Sequence, residues 1–219
     1  MAAVIPLSDA TRRPTRFPAA TATIIALNAL VFLIELSAGD AFITRWSVVP
    51  AELTAGHGWI TILTAMFMHG GWMHIIGNMV FLWAFGPEIE DSMGPRRYVL
   101  FYLLGGVAAT LAQVFASPTS TIPSLGASGA IAAVMGAFIV SFPRDRIRSV
   151  LLVLVFVTVT YIPAVLLIGV WFVLQFFSLG AISQQASGGV AYAAHVGGFL
   201  FGCITARIFE RSSHAAALI

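Results

Sequence analysis

Lysine is absent from the 219 residues and charge of any kind is scarce: 11 arginines and 9 acidic residues make up 9% of the chain, against 59% hydrophobic. With a mean hydropathy of +0.94, this excludes a soluble globular domain and predicts a polytopic membrane protein. A net charge of +2 gives no electrostatic footprint for nucleic acid. The single cysteine, Cys203, rules out an intramolecular disulfide and reads as a small packing residue. Internal repeats and low-complexity tracts are also missing. The length leaves room for about six apolar helices of ~20 residues in one domain, with no space for a soluble catalytic module.

Residues 1–17 read as a polar tail carrying Arg12, Arg13 and Arg16, and an apolar run to Leu36 follows Pro18. Ser37-Ala38-Gly39 would suit signal-peptide cleavage, but the run exceeds the about 7 to 15 residues of such a core, so it is expected to be the first helix. Ala38 to Gly58 reads as a loop lying in the membrane interface. The second helix is expected over Trp59–Phe85, with its regular part starting at Trp72 after the break at Gly70-Gly71. Gly86 to Arg97 is expected to be a polar connector, Tyr98–Ala116 the third helix and Ser128–Phe142 the fourth. Pro143 to Arg148 reads as a basic turn. Ser149–Tyr161 suits an interfacial segment or a helix extension. Tyr161–Leu179 and Val190–Phe209 read as the fifth and sixth helices, separated by a polar loop, and a short tail over 211–219 ends the chain. Ten of the 11 arginines fall in the N-tail, the 86–97 connector, the 143–148 turn or the chain end. The positive-inside rule therefore puts both termini in the cytoplasm. The expectation is an all-α membrane protein, a bundle of six spans over residues 18–210.

The fourth helix is the unusual one. At 1.5 Å per residue it reaches roughly 22 Å, against a hydrocarbon core of about 30 Å, so it cannot span alone and Ser128 should lie recessed below the outer surface. Irregular backbone at that depth must be shielded by protein or face a water-filled cavity. Polar side chains inside apolar helices are functional candidates by default, and those singled out are His69, His74, Asn78, Ser128 and His195. His195 lies roughly 8 Å below the outer end of its helix, close to the depth of Ser128. His195, Gly198 and Gly202 form one stripe; Ser128, Ala132 and Gly136 form another. Small-residue stripes let two helices approach closely, which would bring the Ser128 hydroxyl to the His195 ring. A serine needs an adjacent base to become a nucleophile, and His74 and Asn78, one turn apart, would donate to a developing oxyanion.

Three motifs, His69-Gly-Gly-Trp-Met-His74-Ile-Ile-Gly-Asn78, Gly126-Ala-Ser128-Gly-Ala and Ala194-His195-Val-Gly-Gly198-Phe-Leu-Phe-Gly202, come in this order on the second, fourth and sixth helices. In this the sequence resembles a rhomboid intramembrane serine protease of the prokaryotic six-helix type. The resemblance implies a Ser128–His195 dyad without an acidic third member, and an oxyanion hole made by the Ser128 backbone N–H, His74 and Asn78. It further implies that Gly126 shapes the loop under the cleft, that His69 partners the first external loop, and that Trp171 and Phe172 flank substrate entry from the lipid. Substrates would be transmembrane helices cut near their outer ends, with no cofactor. Two departures stand out. Ala132 occupies the place where some members carry an aromatic against the base histidine, so His195 must be oriented otherwise. Arg45-Trp46 also reverses a Trp-Arg pair of some members' long loop.

Other readings predict other features. A catalytically inactive rhomboid-like protein that binds transmembrane clients would lack Ser128 or His195. A transporter would favour inverted repeats or midplane carboxylates. A metal site is disfavoured because His69 and His74 diverge by about 140° and no carboxylate or thiol is expected at their depth. His57 and His214 are expected to be exposed, and Trp72, Trp83 and Trp171 read most simply as packing or interfacial aromatics. The short N-tail does not resemble an organelle transit peptide, which favours a bacterial inner membrane.

Overall fold

Glycine or proline marks the start or end of several of the helices. The computed structural model describes residues 2–154, 156–182 and 191–211. Helix α1 (Ala19–Ala38) follows Pro18 and stops at Gly39, and the next chain segment forms short helices α2 (Asp40–Trp46), α3 (Pro50–Thr54) and α4 (Thr61–Thr64) with a 3-10 turn at Ala65–Phe67. Helix α5 (Trp72–Met93) starts at the expected residue, after the Gly70-Gly71 break. Gly94, with φ +80°, makes the turn into α6 (Pro95–Ala116). Helices α7 (Ser128–Ser141), α8 (Ala164–Ile182) and α9 (Tyr192–Phe209) complete the helical set. Among the described residues, α1, α6 and α9 are long and apolar enough to cross a membrane by length and composition. The expected loop over 180–189 lies mostly outside the described residues, as do 212–219.

The polar connector expected after Phe85 is instead helix as far as Met93, with Pro87 inside it. The acidic residues there have structural partners. Glu90 is buried and accepts from the backbone N–H groups of Ala20 and Thr21 at 2.9 and 2.7 Å and from the Thr21 hydroxyl at 2.8 Å. Since the first N–H groups of any helix lack partners within it, a carboxylate from α5 caps α1.

The chain is mostly helical rather than all-α. Ser149–Tyr161, expected to be interfacial or helical, belongs to an antiparallel hairpin of β2 (Arg146–Val153) and β3 (Phe156–Pro163). Residues 2–9, read as part of the tail, form β1 and pair with β2, giving a three-stranded sheet of order β1-β2-β3. Valine and threonine crowd this run, and their branched side chains favour a pleated surface over a helix. Asp145, bonded by the Arg12 side chain at 2.5 Å, ties the start of the sheet to the segment after β1.

The core is centred on α7, whose residues Gly129 to Phe138 are all buried. It packs closely on α9. A methyl group added at Gly198 would overlap the Gly129 carbonyl, one at Gly202 the Ala133 carbonyl, and one at Gly136 the Phe199 carbonyl. Lipid removes the hydrophobic drive between spans, so backbone-to-backbone van der Waals contact of this kind is what holds them together. The contact stripe on α7 is therefore Gly129, Ala133 and Gly136, turned one position from the Ser128-Ala132-Gly136 stripe expected.

Candidate active site

The loop entering α7 is irregular, and its polar backbone is satisfied by protein. Ser124 and Val48 exchange two hydrogen bonds at 2.9 and 2.7 Å, Ala51 N–H donates to Ser120 at 3.0 Å, and Gly126 N–H donates to the Ala65 carbonyl at 2.8 Å. The chain then turns into the helix with Ser128 as its first residue. At this position the backbone N–H has no intrahelical partner and lies at the positive end of the helix dipole.

His195, on the first turn of α9, places its Nε2 2.7 Å from the Ser128 Oγ across the Gly129–Gly198 contact. The distance is that of a strong hydrogen bond, and the His195 residue is itself buried. For Nε2 to accept from the hydroxyl, the neutral ring must carry its proton on Nδ1. Both residues face a cleft of about 750 Å³, also lined by His74, Asn78, Trp171 and Tyr192.

His74 presses against Gly126: a methyl group there would come 2.9 Å from both Cε1 and Nε2 of the ring, and Gly126 has φ +131°. Glycine is thus required at 126 both for the backbone angle and for the space. Gly70 N–H donates to His74 Nδ1 at 3.3 Å, which leaves the ring proton on Nε2, the nitrogen beside the serine loop. Asn78 is buried, and its Nδ2 has no partner among the described residues. An amide donor left unpaired costs free energy unless a ligand or water takes it up. His74 Nε2 is thus a donor beside the serine loop, and Asn78, with its unpaired amide, lines the same cleft.

Trp171 of α8 lies against His195, with ring centroids 5.6 Å apart and planes at 40°, and Tyr192 approaches edge-on at 6.3 Å and 85°. Aromatic rings from α8 and α9 thus flank the imidazole. The pair Trp171 and Phe172 is split: Trp171 meets His195, and Phe172 stacks on Phe199 of α9 at 4.3 Å.

His69 is buried, and its backbone N–H donates to the Glu35 carboxylate at 3.1 and 3.2 Å. Its ring meets the His74 ring edge-on at 5.1 Å. The bonding partner is therefore the C-terminal end of α1 rather than the expected first loop. Glu35, 2% exposed, and the buried Asn28 were both overlooked, although an ionisable residue inside Ala-Leu-Asn28-Ala-Leu-Val-Phe-Leu-Ile-Glu35 is the signal that should have flagged them. A carboxylate does stand near the histidines, yet no cluster of three or more metal-ligating side chains occurs among the described residues.

The family profile described as Rhomboid domain matches residues 56–212. The chain is 33% identical over 126 residues to the rhomboid protease GluP of Bacillus subtilis, which covers 56% of this chain and 24% of that protein. It is 28% identical over 118 residues to the putative rhomboid protease YdcA of the same organism, covering 53% and 59%. It is also 33% identical over 133 residues to the presenilin-associated rhomboid-like protein A, mitochondrial, of Danio rerio, covering 59% and 34%. The chain spans less than two thirds of the length of each of these relatives. With the profile covering most of the sequence and protease-named relatives among its matches, the chain belongs to the rhomboid family.

Proposed function

We propose that the chain is an intramembrane serine endopeptidase, hydrolysing peptide bonds in or near transmembrane segments of membrane-protein substrates. The observation that carries this reading is the 2.7 Å contact between Ser128 Oγ and His195 Nε2 at the wall of an open cleft. As the hydroxyl attacks the scissile carbonyl, its proton passes to His195 Nε2. The oxygen of the tetrahedral intermediate accepts from the Ser128 N–H, from His74 Nε2–H and from the Asn78 amide. His195 then protonates the leaving amine, and water entering by the cleft hydrolyses the ester on Ser128 through the same base.

Six spans, α1 and α5 to α9, would carry this site, with α7 too short to cross alone and the serine recessed toward the outside. The arginine bias supports cytoplasmic termini, and the bacterial protease relatives support a bacterial plasma membrane. The unpaired Asn78 amide supports its place in the oxyanion hole. Gly198 and Gly202 would serve by holding α9 against α7, and His69 by backing the His74 ring.

The test is incubation of the purified protein, in detergent and in proteoliposomes, with a fluorescently labelled single-span substrate. Cleavage by the wild type and none by Ser128→Ala is the expected result. Cleavage that survives in the variant removes the serine from the mechanism, and a wild type that binds the substrate without cutting it points to the inactive client-binding form.

A further inference from the structure

The sheet leaves a large apolar face bare. Register pairing puts Arg148 beside Tyr161, Val150 beside Val159 and Leu152 beside Val157 on one face, while Ile147 and Ser149 point the other way and are buried. Arg146 and Arg148 are exposed at the end nearest the helices. Toward the turn the face becomes wholly apolar, with Val157 68% and Leu154 77% exposed. The acidic residues nearby, Asp9 and Asp145, are buried on the inner side, so the exposed charge on this face is positive.

The opposite edge of the sheet reaches the helices. Pro6 and Leu7 of β1 join Ile25, Phe32, Trp72 and Trp83 in lining an open, almost entirely apolar groove of about 580 Å³ between α1 and α5. A groove of that composition between two spans is surface that lipid covers, and the sheet continues it. The hairpin starts at Arg146, shortly after Ser141, so its base lies at the end of α7 opposite Ser128.

We propose that the three-stranded sheet is a lipid-binding plate in the membrane interface on the side opposite the serine. Leu154 sits at the acyl-chain boundary, and Arg146 and Arg148 hold anionic phospholipid headgroups. Basic residues beside an apolar surface are the combination that binds anionic interfaces, and each arginine lost should weaken that preference by about fivefold. The proposal goes beyond the protease reading and is independent of it.

The test uses the full chain with Cys203→Ala and Leu154→Cys, an environment-sensitive fluorophore on residue 154, in nanodiscs of phosphatidylcholine with or without phosphatidylglycerol. Doxyl-labelled lipid should quench the fluorophore strongly, and aqueous iodide should quench it several-fold less than the free dye. Arg146→Gln with Arg148→Gln, introduced without any label, should abolish selective retention of phosphatidylglycerol. Iodide quenching equal to that of the free dye overturns the proposal, as does an unchanged lipid preference in the double variant. Self-quenching between labelled copies with no doxyl effect overturns it too, by assigning the face to a second copy of the chain. Repeating the measurement on Ser128→Ala should change nothing, which separates this outcome from the fate of the proposed activity.

Discussion

Two very apolar stretches, Ser128–Ser141 and Val150–Ile162, end in opposite surroundings. The first is enclosed, with every residue from Gly129 to Phe138 buried, whereas Phe156 and Val157 in the second are 71% and 68% exposed. Hydropathy does not separate them; side-chain size does. Glycine and alanine along α7 admit the α9 backbone to contact, while valine and threonine along the hairpin keep neighbours at side-chain distance and favour a strand. In this chain, small residues mark where two helix backbones meet, and bulky ones such as Phe85, Phe101 and Phe138 fill the space around that contact.

Disturbing the enclosed region should cost most. His195→Ala is expected to lower cleavage on the order of 10⁴-fold or more in single-turnover assays, since the nucleophile then lacks its base. Gly202→Val drives a side chain into the Ala133 carbonyl and should cost about 3 kcal/mol or more, read as lost thermal stability in detergent, against less than ~0.5 kcal/mol for Val159→Ser on the hairpin. Equal losses at the two positions would break the contrast. His74→Ala and Asn78→Ala should each lower kcat by about 10²-fold with little change in KM, the mark of a donor used only in the transition state. Trp171→Ala should lower kcat about tenfold by loosening His195, and Trp171→Phe should restore much of it. A rise in rate on Trp171→Ala would show that the ring restricts substrate entry instead.

The smallest effect belongs to the sheet. Burial, with the Asp145 carboxylate beside it, raises the Asp9 carboxyl from 3.8 to about 6, against the lowering effect of N–H bonds from Thr11 and Arg12. A carboxyl with a raised folded pKa holds its proton more tightly in the native state. Its contribution is therefore complete below pH 4 and fades as pH rises through about 6. Hydrogen exchange corrected for intrinsic rates should show β1 amides losing protection between pH 4.5 and 7.5 while α7 amides do not, and Asp9→Asn should flatten the profile.

Much of the helical frame and the Ser128–His195 pairing was legible because glycine and proline punctuate the spans and rare polar residues stand out in apolar ones. The start of α5 at Trp72 and of α7 at Ser128 are instances. The sheet was not legible for a physical reason. A short apolar run has no periodicity that separates strand from buried helix, and β2 is bounded by a partner, Ala2–Asp9, from the far end of the sequence. The helical course of 86–93 was hidden likewise, because Glu90 answers to Ala20 and Thr21 rather than to water. Glu35 is different: the cost of a carboxylate within a span was sufficient to single it out.

Sixty-seven residues separate Ser128 from His195, and the loop under the serine is fastened to Val48, Ala51 and Ala65, all of which precede it in the chain. During synthesis Ser128, the proposed attacking group, can thus be positioned early, while His195 emerges later with α9. On the proposed mechanism, a nascent copy surrounded by the unfinished helices of other proteins would be unable to cut them until α9 had been made.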